Sequence, residues 1–150
     1  MENNSIILQI EENIKIAMKI GQKNRLSTLR MLKSEMNLLK IEQKSELSID
    51  QSLTVIQRMI KQRKESAVQF SDAGREELSN KELEEIETLK EYMPKQLNDD
   101  ELKLEVLDAI ESTSSKSLKD MGKVMGILKE NLHGKADMSK VSNLVKQSLS

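Results

Sequence analysis

A chain of 150 residues with 37% hydrophobic content can bury a substantial core, in one ordinary domain or two small ones. It has one Phe, one Tyr, no Trp and nine Met, so that core is aliphatic, and the absence of cysteine excludes a disulfide framework, a thiolate zinc site and a cysteine nucleophile. Charged residues make up 33% of the chain yet sum to a formal net charge of -1, a pattern of exposed helix faces rather than of a disordered tail.

Apolar residues recur at helical spacing nearly everywhere, and no segment alternates as a half-buried strand would. The chain reads as all-α. The N-terminal MENNSIILQIEENIK lacks a basic region, and its apolar run is interrupted by Gln9, Glu11 and Glu12, so it resembles neither a signal nor a transit peptide. No window approaches the ~20 apolar residues of a membrane span, and the cytoplasm is the default location. A first helix runs from about Asn4 to Ile20 and stops at Gly21. A second, about Asn24 to Lys44, buries Leu29, Leu32, Met36 and Leu39. A third opens with Ser48 and Gln51 at capping-box spacing, turns Leu53, Ile56, Ile60, Ala67 and Phe70 to one side and ends near Gly74. The fourth, residues 75–93, aligns Leu83, Ile86, Leu89 or Lys90, and Met93 before Pro94, the only proline.

The domain boundary is placed there, with a four-helix bundle over residues 1–94 and a three-helix bundle over 95–150. Asn98 caps the fifth helix, which carries Leu102, Val106, Ala109 and Ile110, with Glu101 at the third helical position. STSSKS is a loop, and Ser117 with Asp120 again has capping-box spacing ahead of a sixth helix over about Leu118–Leu132. HGKAD turns the chain into a seventh helix over about Met138–Leu149.

Charge is unevenly spread. Residues 15–64 carry 12 basic against 4 acidic groups, residues 65–94 carry 3 against 9, and residues 116–150 carry 7 against 3. Either the acidic fourth helix neutralises the basic second and third within the fold, or a separated basic face suits a phosphate-rich partner.

Two places could bind such a partner. On a wheel of ~100° per residue, Val124, Leu128, Leu132, Met121, Met125 and Leu118 form the apolar side of the sixth helix. Gly122, Gly126, Lys129 and His133 fall together at its edge, with Lys119, Lys123 and Glu130 just beyond. Glycines there let another backbone approach, whether a neighbouring helix or a sugar-phosphate chain. The second place is RMIKQRKES, where Arg58 and Lys61 share one face and Arg63 and Lys64 reach around it as a ridge, unless this is simply a solvated helix face. Arg25, Arg30 and Lys33 form a weaker cluster. With almost no aromatic side chains to stack on splayed bases, shape and phosphate recognition of folded RNA is the natural mode.

Chemistry is sparse. The lone His133, with Asp137 four residues on, is better read as a turn followed by an N-cap than as half a metal site. No P-loop, dinucleotide fingerprint, GxSxG or HExxH occurs, so no self-contained active site emerges, and neither cofactor, metal nor small-molecule substrate is expected.

Taken together and in order, RLSTLRMLKSEM, IKQRKESAVQFSDAGREEL, EYMPKQL, KDMGKVMGILKE and GKADMSKVSNLVKQSL resemble the GatB/YqeY family, specifically its stand-alone YqeY-like members, over nearly the whole chain after about residue 14. The resemblance implies two unlike helical bundles. It also implies kinship with the tail of the B subunit of the glutamine-dependent amidotransferase that amidates misacylated tRNA. Through it come an expected tRNA contact, chiefly at Lys119, Gly122, Lys123 and Gly126 with Lys129, Lys135 and Lys140 nearby, and an association with carbon–nitrogen ligase activity using glutamine as amido-nitrogen donor. An amidotransferase or another translation protein is then the expected partner. A helical protein-interaction module with no nucleic-acid role is the alternative.

Overall fold

The structure is a computed structural model describing residues 2–150, with side chains from residue 6 onward; Met1 and the side chains through Ser5, part of the stretch read for a leader, lie outside the described residues. The described residues form seven α-helices and no strand: α1 (Glu2–Ile20), α2 (Lys23–Gln43), α3 (Ile49–Asp72), α4 (Glu76–Lys90), α5 (Asp99–Ser112), α6 (Met121–Asn131) and α7 (Met138–Leu149). A single 3-10 turn, Leu118–Asp120, precedes α6. No helix is long and apolar enough to cross a membrane among the described residues.

Local chemistry sets the boundaries. Gly21 and Gly74, at φ +73 and +75, take the left-handed conformation that ends α1 and turns α3 into α4. Lys44 does the same after α2 at φ 58, a strained position for a side-chain-bearing residue. The capping arrangements expected at Ser48 and Asn98 form as full capping boxes. Ser48 Oγ accepts from Gln51 N at 3.1 Å while Gln51 Oε1 accepts from Ser48 N at 2.9 Å, and Asn98 and Glu101 repeat the exchange ahead of α5. Asp137 Oδ1 accepts from Ser139 N at 3.0 Å, the N-cap expected for α7.

The chain separates into two compact units that meet in sequence at Met93 and Pro94. In the first, α1 packs on α2 and α3, and α4 packs on α2 and most extensively on α3. Leu29, Leu32, Ile56 and Leu89 are fully buried at its centre, with Ile10 and Met36 beside them. In the second, α5, α6 and α7 pack pairwise around Leu102, Val106, Val124, Leu128, Val141 and Val145. Gln96 Nε2 donates to Gly134 O at 2.6 Å and Leu97 N to Lys135 O at 3.0 Å, tying the segment before α5 to the turn between α6 and α7.

Leu83, predicted to face inward, is 48% exposed. The inward stripe of α4 is instead Glu82, Glu85, Ile86 and Leu89, at spacings of three, one and three, and it carries two carboxylates into a polar seam between α2, α3 and α4. Glu85 is buried, and its Oε1 accepts from Thr28 Oγ1 at 3.4 Å. The Glu82 carboxyl is pushed above the ordinary carboxylate value, mainly by desolvation and secondarily by the Glu85 charge.

Truncating Leu29 to Ala should destabilise the protein by about 2–5 kcal/mol, whereas Leu104→Ala on the exposed side of α5 should stay within about 0.5 kcal/mol of wild type. Urea titrations of the two variants give the comparison.

Candidate nucleic-acid interface

The rotation of α6 is fixed by what it buries. Val124 and Leu128 have no accessible surface, and the opposite side carries Gly122, Gly126 and Lys129, all exposed. A Cβ built on Gly122 or on Gly126 would meet nothing within 4 Å. Neither glycine has a left-handed φ, so neither turn geometry nor close packing within the chain requires glycine there. The two residues expose a length of helix backbone one turn apart.

Around this strip the cations differ in how far they are neutralised. Lys119, Lys129 and Lys135 are exposed and make no ion pair among the described residues. Lys123 lies 4.0 Å from Asp120 Oδ1, and Lys140 is held by a charge-assisted hydrogen bond to Asp99. The i, i+3 spacing of Asp120 and Lys123 is legible in the sequence. The pairing of Lys140 with Asp99, 41 residues apart, is not, since it depends on α5 and α7 packing side by side. His133 is half-buried in the turn that follows α6. No group of three or more His, Cys, Asp or Glu able to hold a metal occurs among the described residues.

The entry to α6 departs from expectation. Ser117 makes no side-chain cap, and Asp120 Oδ2 accepts from Lys116 N at 3.0 Å; Asp120 N donates to Ser117 O at 3.0 Å, residues 118–120 form the 3-10 turn, and α6 starts at Met121 rather than Leu118. The backbone N–H of Lys116 holds the Asp120 carboxyl below the ordinary value, with a smaller contribution from Lys123; Lys140 does the same for Asp99 by hydrogen bond and charge.

The second predicted place is altered more. Lys61 and Lys64 are exposed and unpaired among the described residues, but Arg58 is bound to Glu35 at 2.7 Å. Arg63 is not on a surface ridge at all: it is 6% exposed, because α3 turns it toward the polar seam. Its Nη1 donates to Met59 O at 3.3 Å. Arg25 pairs with Glu91 and Lys33 with Glu11, so acidic groups of α1 and α4 neutralise part of the basic α2.

The family described as Yqey-like protein matches residues 7–149. The chain belongs to the YqeY-like family. It is also similar to the Schizosaccharomyces pombe protein "Uncharacterized protein C22F3.15", 33% identical over 85 residues, a stretch covering 57% of this chain and 69% of that one. The quoted motifs from RLSTLRMLKSEM to GKADMSKVSNLVKQSL, which carry the resemblance, lie within the matched span.

Two outcomes follow. Because open space surrounds both glycines, Gly122→Ala and Gly126→Ala should each raise stability by about 0.5–1 kcal/mol, measured as a shift in the urea midpoint. Asp99 and Asp120 both have folded pKa values below the ordinary 3.8, so their stabilisation is complete above that value and disappears as pH falls through the lower folded values. The double variant Asp99→Asn/Asp120→Asn should therefore lose less stability than wild type on acidification from about pH 5 to about pH 2; an equal or steeper loss would contradict the assignment.

Proposed function

We propose that this YqeY-like protein is a tRNA-binding accessory module that acts in the cytoplasm in amidotransferase-linked tRNA handling. The observation that carries the reading is the uncovered backbone at Gly122 and Gly126 beside cations without partners. A sugar-phosphate chain can approach a helix closely where two successive turns lack side chains, and Lys119, Lys123 and Lys129 are placed to meet its phosphates. Lys135 and Lys140 extend the positive charge, Lys140 in competition with Asp99. Lys61 and Lys64 supply a separate basic contact on α3, with Arg58 available only by giving up Glu35. The proposed organisation is a four-helix domain over residues 1–94 and a three-helix domain over 95–150, the latter resembling the tail of the amidotransferase B subunit. In this reading the carbon–nitrogen ligase activity associated with the resemblance resides in a partner enzyme, and this chain contributes RNA contact.

A second reading, a protein-interaction module without a nucleic-acid role, is favoured by one observation. Leu104 and Leu107 stand 62% and 54% exposed, one turn apart, on the side of α5 opposite its core. Such a pair suits a partner helix.

Fluorescence anisotropy with purified tRNA separates the two. Counterion release predicts that affinity falls steeply with added salt, and that Lys119→Gln/Lys123→Gln/Lys129→Gln reduces both the affinity and the salt slope. No binding at low salt, together with recovery of a nuclease-insensitive protein partner lost on Leu104→Ala/Leu107→Ala, would establish the second reading instead.

A further inference from the structure

The outward side of α2 carries a groove of about 510 Å³ lined chiefly by Lys23, Leu26, Ser27, Arg30, Met31 and Ser34. Their spacing of three, one, three, one and three places them on one helix face. Glu35, which also lines it, is neutralised by Arg58 at 2.7 Å. The groove's own cations are not so matched. Lys23 and Arg30 make no ion pair among the described residues, and the side-chain contact of Arg30 is Met18 Sδ, at 3.7 Å from Nη2.

Behind Met31 lies a second guanidinium in the same condition. Arg63 Nη2 reaches Met31 Sδ at 3.5 Å, and its Nε is buried without any partner. Arg63 lowers the pKa of Glu82 through its field, but no carboxylate comes within ion-pair distance of it among the described residues. A guanidinium has five N–H donors and suits a planar or tetrahedral oxyanion, whereas a thioether is a weak acceptor. Burying such a group with so few acceptors is costly. Met31 is 48% exposed, lines the groove and touches the buried guanidinium, and its unbranched side chain has the rotatable bonds to swing away from it.

We propose that this groove binds a small molecule bearing an oxyanion on an apolar body. Met31 turns aside, Arg63 and Arg30 hold the oxyanion, the Ser27 and Ser34 hydroxyls donate to it, and Leu26 with the displaced Met31 covers the apolar part. A phosphoryl or a carboxylate group supplies the same recognition chemistry. A small ligand fits better than RNA because the lined face covers about 18 Å of one helix and includes apolar side chains. The proposal concerns a different unit from the α6 lysine strip and does not rest on the tRNA reading.

The test is a nuclear magnetic resonance titration of the full chain, labelled with nitrogen-15, following the amides of α2 and the Nε–H signals of Arg30 and Arg63. The probes are phenyl phosphate, benzoate and, as a neutral control, benzyl alcohol. The expected result is a saturable shift at Ser27, Ser34, Arg30 and Arg63 with one or both anions, weakened at least about tenfold by Arg30→Gln. Response to phenyl phosphate alone assigns a phosphoryl ligand, and response to benzoate alone a carboxylate. Because Arg63 is read in the wild-type protein, no variant of a buried residue is needed. Shifts that leave Arg63 Nε–H unmoved, an equal response to benzyl alcohol, unchanged binding in Arg30→Gln, or no saturation at millimolar probe would each overturn the proposal.

Discussion

The complete burial of Val124 and Leu128 sets the orientation of everything on α6. With those two positions fixed against α5 and α7, helical periodicity leaves no freedom for the residues across from them, and Gly122 and Gly126 must face outward. Each glycine costs helix stability that alanine would restore without a clash. No neighbour within the chain requires the space that the two missing side chains leave, and the proposed RNA contact would use it.

The two basic stretches of the sequence have different fates in the fold. In the first unit, α4 brings Glu91 to Arg25 and α1 brings Glu11 to Lys33, while Glu35 occupies Arg58. Much of that positive charge is thus answered locally, although exposed pairs of this kind add little stability. Cations left without an ion pair among the described residues include Lys61 and Lys64 on α3, Lys23 and Arg30 at the α2 groove, and the buried Arg63. In the second unit, Asp99 and Asp120 engage Lys140 and Lys123, and Lys119, Lys129 and Lys135 remain open to a partner. The strip on α6 is therefore the place where accessible main chain and unanswered charge coincide.

Much of this was legible from the sequence because it depends on short-range chemistry. The capping residues Ser48, Asn98 and Asp137 and the turns at Gly21 and Gly74 act within a few positions of themselves, so their pattern is visible without tertiary structure. Periodicity put Gly122 and Gly126 only at the edge of the apolar side, and their full exposure depends on α5 and α7 leaving that side uncovered. The misreadings have a common cause. Helical spacing of apolar residues aligns Leu83 with the inward stripe and leaves Arg63 on a basic ridge, but the seam between α2, α3 and α4 is polar and accepts Glu82, Glu85, Thr28 and Arg63 in place of an apolar stripe. Ser117 and Asp120 have capping-box spacing, yet the carboxylate folds back to Lys116 N, a choice that spacing cannot distinguish. At the α2 groove the sequence showed Arg30 only as part of a weak basic cluster, because the contacts of Arg30 with Met18 and of Arg63 with Met31 join residues 12 and 32 positions apart.

The central claim is that the bare backbone of α6 is a contact surface for RNA. The most direct measurement is the change in backbone amide shifts of the nitrogen-15-labelled protein when unlabelled tRNA is added at low salt. The account predicts that Gly122 and Gly126 move together with Lys119, Lys123 and Lys129, and that the changes reverse as salt is raised. Perturbations that spare both glycines, or that centre on Leu104 and Leu107 of α5, would contradict it.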